Sequence, residues 1–189
     1  MARGGRALAR VDVVVRAGAA PLWWAGLCGA AVGVLLPGLS GRRIGLLAGA
    51  ALFLLAAAGV ALARRGRYTR LAADAVRAGR ADILQDRAVT VRNWRRAHRW
   101  WLLLAFPAAV VSSLALPAAG GLLVAGTGAG LRLKALWLGH RQTADDRLLW
   151  VSVDHLASAG GPAGKAVTAY RATGIAAGDA APGGARRRR

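Results

Sequence analysis

PLWWAGLCGAAVGVLLPGL, residues 21–39, followed after Ser40-Gly41-Arg42-Arg43 by IGLLAGAALFLLAAAGVALA, residues 44–63, decides how this chain is read. The two runs hold 19 and 20 residues and no charge. As helices rising about 1.5 Å per residue, each would reach about 30 Å, the thickness of a bilayer's hydrocarbon core. Further along, Trp100–Leu116 is an uncharged run of 17 residues, and Ala118–Leu131 is one of 14 that continues past Arg132 and Lys134 to Leu138. A 189-residue chain that is 56% hydrophobic and carries a net charge of +19 can hold both properties only by segregating them. These patterns lead us to expect an all-α integral membrane protein with four transmembrane helices in two hairpins, 21–63 and 100–138. A basic cytoplasmic segment, 1–20, would precede the first hairpin, a basic helical cytoplasmic segment, 64–99, would join the two, and a cytoplasmic segment, 139–189, would follow.

Charge placement gives the expected orientation. Arg3, Arg6, Arg10 and Arg16 precede the first run, Arg42 and Arg43 separate the first two, eleven arginines lie between Arg64 and Arg99, and eight basic residues follow Lys134. With both termini in the cytoplasm, 23 basic residues lie inside and two outside, which the positive-inside rule favours. This predicts a multi-pass protein of the cell (plasma) membrane. Trp23, Trp24, Trp100, Trp101 and Trp137 fall at run ends, as an interfacial aromatic belt requires. Within 64–99, apolar stripes interrupted near Gly79 and Asp82 predict two short helices with a break. The Gly-, Ala- and Pro-rich sequence from Gly160 onward, ending in Arg186–Arg189, is expected to be disordered.

The inventory of reactive groups is thin. One cysteine, Cys28, excludes an internal disulfide and a redox pair. All eight acids are Asp, and 25 of the 27 basic residues are Arg. No acid falls within a run, which argues against a carboxylate-driven exporter. Gly79-Arg80-Ala81-Asp82 with Asp86 resembles the end of the metal motif of CDP-alcohol phosphotransferases, a resemblance that would imply phosphoalcohol transfer. The opening Asp-Gly and Ala-Arg of that motif are missing and the last spacing is one residue longer, so Asp82 and Asp86 are read instead as helix caps or partners of Arg80 or Arg87. His140 with Asp145 and Asp146, and Asp154 with His155, are read as solvated surface, because a metal needs three or four converging ligands.

Two patterns remain. Arg92, Trp94, Arg95, Arg96, Arg99 and Trp100 alternate cations with aromatics at the edge of an apolar run, a composition suited to anionic lipid headgroups as well as to topological anchoring. Gly29/Gly33, Gly45/Gly49 and Gly126/Gly130 form GxxxG pairs that allow helix backbones to approach closely. The expectation is a noncatalytic membrane protein, an accessory or scaffold subunit, that meets anionic lipid or an acidic partner. A protein partner or a second copy would complete it, with no cofactor, metal or nucleic acid. The alternative is a small transporter, channel or hole-forming protein, and after that a membrane-associated enzyme.

Overall fold

The computed structural model describes residues 7–36, 38–79, 82–156 and 161–175. The elements run β1 (Ala7–Arg10), α1 (Val11–Ala17), α2 (Ala19–Leu35), α3 (Arg42–Leu62), α4 (Arg65–Ala73), β2 (Val76–Arg77), β3 (Ile83–Leu84), α5 (Arg87–Ala97), α6 (Arg99–Ser112), α7 (Ala119–Ala144), β4 (Arg147–Ser152), α8 (Val153–Leu156) and β5 (Arg171–Gly174). The chain divides into two compact units. Residues 1–15, 64–93 and 135–189 form one, which carries the sheet, and residues 16–63 and 94–134 form the other, which is helical.

This corrects the all-α expectation. Five strands form one mixed sheet in the order β2-β5-β4-β1-β3, with β1/β3 and β2/β5 parallel and β1/β4 and β4/β5 antiparallel. It also corrects the four-span expectation, because only two described helical stretches, Val11–Leu35 and Arg42–Ala73, are long and apolar enough to cross a membrane. The third run yields only the 14 residues of α6, about 21 Å of helix, because Ser113–Pro117 turn the chain before the run is used up. In α7 the apolar residues are diluted by six glycines and interrupted by Arg132 and Lys134. The residues that follow Lys134, Trp137 included, belong to the sheet-bearing unit. Between α4 and α5 the chain forms two short strands, and β5 lies in the stretch after Gly160 that was expected to be disordered. Arg186–Arg189 lie outside the described residues.

In the helical unit, α7 packs against α2 and α3 without intervening side chains. A methyl group on Gly121 would lie 2.7 Å from the Gly26 carbonyl oxygen, and one on Gly26 would lie 2.7 Å from the Gly121 carbonyl oxygen. A methyl on Gly128 would meet the Trp23 backbone nitrogen at 2.6 Å, and one on Gly130 the Ala57 carbonyl oxygen at 2.6 Å. These distances are below any real carbon contact, so the glycines are required by the approach of the backbones. Gly costs about 1 kcal/mol relative to Ala inside a helix, a cost that close packing must offset. Helix α6 lies on α2, where Gly29 faces the Ala109 methyl and Gly33 faces Ser113. The α2–α3 and α6–α7 turns are tied together. Leu39 N–H donates to the Leu114 carbonyl at 3.1 Å, and the Ser40 hydroxyl to that of Ala115 at 2.9 Å.

The outward faces of this unit remain apolar. Only 17% of the most apolar window within Arg42–Ala73 is buried, and Leu47, Leu54, Leu55, Leu103 and Leu104 are all exposed. A helix at the core of a water-soluble domain would bury most of such a window, and an exposed apolar surface of this extent calls for a covering.

The sheet-bearing unit is built on β4. Its residues Leu148, Leu149, Trp150 and Val151 are all buried, and successive side chains point to opposite faces. Leu148 and Trp150 pack with Leu8 from β1, flanked by Ala78 and Leu84, and the Trp150 indole donates to the Thr173 hydroxyl at 2.8 Å. Tyr170 is fully buried and donates to the Pro162 carbonyl at 2.8 Å, while Arg67 of α4 donates to the carbonyls of Gly164 at 2.9 Å and Val167 at 3.3 Å.

Two predictions follow from this packing. Gly121→Val should destabilise the helical unit by about 3 kcal/mol. Gly59→Ala, at a helix position with open space around it, should stabilise by up to about 1 kcal/mol; thermal unfolding in detergent measures both. Burial, followed by the nearby Tyr68, raises the Tyr170 phenol above its ordinary value, with Arg67 acting in the opposite direction. The native state therefore keeps a proton that the unfolded chain loses above about pH 10. Stability contributed by this group should be intact below that pH and fall as the pH climbs past it. Tyr170→Phe should flatten the decline in an unfolding series run from pH 8 to 11.

Candidate functional site

The cation-and-aromatic stretch expected at the third run is divided between α5 and α6, which meet at His98. Its members have different surroundings. Trp94 is half-buried, with its indole against Gly18 and stacked on the His98 ring, the centroids 4.2 Å apart and the planes at 11°. Its role is to pack the helix junction. Arg95, Arg96 and Arg99 are exposed, as are Trp100 and Trp101, and the Arg99 guanidinium lies 5.2 Å from the centre of the Trp100 ring. Arg95 and Arg96 belong to the last turn of α5 and Arg99 opens α6, so the three lie close together along the chain. Arg92 is also exposed but belongs to the sheet-bearing unit. The helical unit therefore presents three cations beside two outward indoles, the pairing of charge and amphipathic ring suited to a headgroup region.

The six glycines singled out from the sequence have different neighbours, and Gly33 and Gly45 meet the turn between α6 and α7 rather than a helix. Gly29 faces Ala109 of α6, Gly33 faces Ser113 and Ala118, Gly45 faces Pro117, Gly49 faces Leu122 and Ala119 of α7, and Gly126 and Gly130 face Phe53 and Ala57 of α3. Gly26, Gly121 and Gly128, which the GxxxG pattern passes over, make the contacts between α2 and α7. Their signal in the sequence is the broader small-xxx-small spacing of Gly26/Ala30 and Gly121/Ala125.

The carboxylates are engaged locally. Asp82 accepts from the Gly79 backbone N–H at 2.8 Å, and Asp86 accepts from that of Ala88 at 3.3 Å, in the manner of a cap on α5. Arg80 and Ala81, part of the motif resemblance, lie outside the described residues. Among the described residues no three His, Cys, Asp or Glu side chains come together as a metal site. His140, Asp145 and Asp146 are exposed near the end of α7.

The sheet-bearing unit also contains a cavity of about 320 Å³ that the sequence reading did not find. Helix α4 contributes Tyr68 and Thr69, α7 contributes Trp137, Arg141 and Gln142, and Leu149 of β4 closes the floor. The four-residue spacing of Trp137 and Arg141 puts those two on one face of α7. Two cations flank the Trp137 ring, with Arg65 at 5.0 Å and Arg141 at 5.7 Å from its centre. Arg141 Nη1 donates to the Thr69 hydroxyl at 3.1 Å, and that hydroxyl donates to the Arg65 carbonyl at 2.9 Å, so Thr69 is satisfied and holds the guanidinium in place. Gln142 is different. It is 2% exposed, and neither its amide nitrogen nor its amide oxygen has a hydrogen-bond partner among the described residues. Leaving such a group unmatched costs about 1–3 kcal/mol.

No family model matches the chain, and comparisons with curated proteins and with solved structures find no match.

Proposed function

We propose that this chain is a noncatalytic membrane-anchored module, held by the apolar α2–α3 hairpin, whose basic surface contacts anionic lipid headgroups from the cytoplasmic side of the cell membrane. The observation that supports it most is the exposed apolar face of α2 and α3 next to a strongly segregated charge distribution. A hairpin of two spans returns the chain to the side from which it entered, so Arg42 and Arg43 alone among the basic residues fall on the far side. That asymmetry favours the side bearing both termini as the cytoplasmic one. Arg95, Arg96 and Arg99, with Trp100 and Trp101, supply the headgroup contact. A cation close to an anionic membrane surface contributes about 1 kcal/mol, less at high salt.

Two measurements test this reading. Alkaline carbonate should leave the chain in the membrane pellet, and its release without detergent would defeat the anchoring proposal. The purified protein should bind short-chain phosphatidylglycerol in preference to phosphatidylcholine in a salt-sensitive way. The triple variant Arg95→Ala/Arg96→Ala/Arg99→Ala should weaken the phosphatidylglycerol interaction by at least about tenfold. Equal binding of the two lipids by the unaltered chain would remove the headgroup role.

A further inference from the structure

We infer that the cavity between α4, α7 and β4 binds a small oxyanion with an aliphatic body, a short-chain carboxylate being the simplest member of the class. The site shares no residue with the lipid contact at the α5–α6 junction and does not depend on it.

Two helix faces and a strand build the cavity. On α4, Tyr68 with Ala72 and Thr69 with Ala73 recur at four-residue spacing, as Trp137 and Arg141 do on α7, and Asp145 follows just past the end of that helix. Leu138 and Leu149, both buried, lie beneath. The Gln142 amide is itself enclosed in the wall and is given no contact with the ligand.

What the lining offers differs between its two parts. Arg141 and Arg147 face one acid, Asp145, an excess of positive charge that disfavours a cation. The Thr69 hydroxyl already uses its proton on the Arg65 carbonyl and accepts from Arg141, so it has no hydrogen to donate to a sugar or polyol. Arg141 spends one N–H on Thr69 and keeps others for a further acceptor, which an anionic oxygen fills best. Held between Thr69 and the Trp137 ring, this guanidinium loses little freedom when a ligand arrives. Ala72, Ala73, Leu138 and Leu149 carry no side-chain donor or acceptor, so the rest of the ligand meets hydrocarbon. Trp137 already has two guanidinium groups over its ring, which favours an aliphatic body over a flat aromatic one. At about 320 Å³ the cavity lies at the small end of the range for small-molecule sites.

A carboxylate and an alkyl phosphate share this chemistry, and titration separates them. The full chain in phosphatidylcholine nanodiscs is titrated calorimetrically with acetate, butyrate, hexanoate, hexyl phosphate and hexanol, with empty nanodiscs as the blank. Binding should strengthen by about threefold for each methylene added from acetate to hexanoate. Tighter binding of hexanoate than of hexyl phosphate supports a carboxylate site, and the reverse order supports the same site for a phosphate ester. Arg141→Gln should weaken hexanoate by about tenfold while leaving hexanol unchanged. Arg147→Ala, exposed at the rim, should weaken it by a smaller factor without disturbing the fold. Ala72→Phe fills the apolar part, keeps every charge and should abolish binding. The triple arginine variant of the α5–α6 junction should bind hexanoate as the unaltered chain does, so failure of the surface reading and failure of this one are distinguishable. The inference is overturned if neither hexanoate nor hexyl phosphate binds at millimolar concentration, if hexanol or acetate binds as tightly as hexanoate, or if Ala72→Phe binds hexanoate unchanged.

Discussion

The close approach of the α7 backbone to those of α2 and α3 is the constraint on which the helical unit depends. Gly26 against Gly121, Gly128 against Trp23 and Gly130 against Ala57 leave no room for a β-carbon. Such contacts are short and numerous because they involve main-chain atoms, so they derive their strength from dispersion rather than from expulsion of water. That suits a helical unit whose outward side chains are apolar. Where the surroundings are as apolar as the helix, burying leucines gains little, and close packing with weak polar ties such as Ser40 to Ala115 must hold the helices together. The outward leucines of α3 are then free to meet whatever covers them.

The sheet-bearing unit follows different rules. Its order is set by β4, buried on both faces, which pairs with residues 8–10 through 150–152 and with residues 171–174 through 147–150. Three stretches of chain separated by the helical segments contribute to it. Pairing stretches so far apart carries a loop-closure cost that grows only slowly with length, so long helical insertions are tolerated once the β4 core is formed. Within this unit, α4 is tied down by Arg67 and faces the end of α7, and the Gln142 cavity lies between them with Leu149 beneath. Thr69 and Arg141 are matched to each other there, whereas the buried Gln142 amide has no partner among the described residues.

Particular residues show how much could be read in advance. The two long runs, 21–39 and 44–63, announce α2 and α3 because nothing in them interrupts apolar character. The four-span expectation failed where run length was taken for helix length. Trp100–Leu116 ends as a helix at Ser112, and α7 owes its form to packing rather than to apolar content. The sheet was illegible because β2 and β3 have two residues each, too few for alternation, and because LLWV in β4 is a continuous apolar run that a buried strand and a helix share. The cavity escaped notice because Trp137 reads as a membrane-edge residue and the His140, Asp145 and Asp146 stretch around Arg141 as solvated surface. What joins them is the face of α7 and its meeting with Thr69.

Two apolar helices, the segregation of charge around them and the small residues that let helices touch were legible in the amino-acid order alone. These are properties of composition and local spacing, which no distant part of the chain can alter. The pairing of five short strands from three separate stretches into one sheet, and the enclosure of Gln142 with no partner among the described residues, come from tertiary packing. Strand pairing and burial depend on which distant backbones meet, information that no single segment contains.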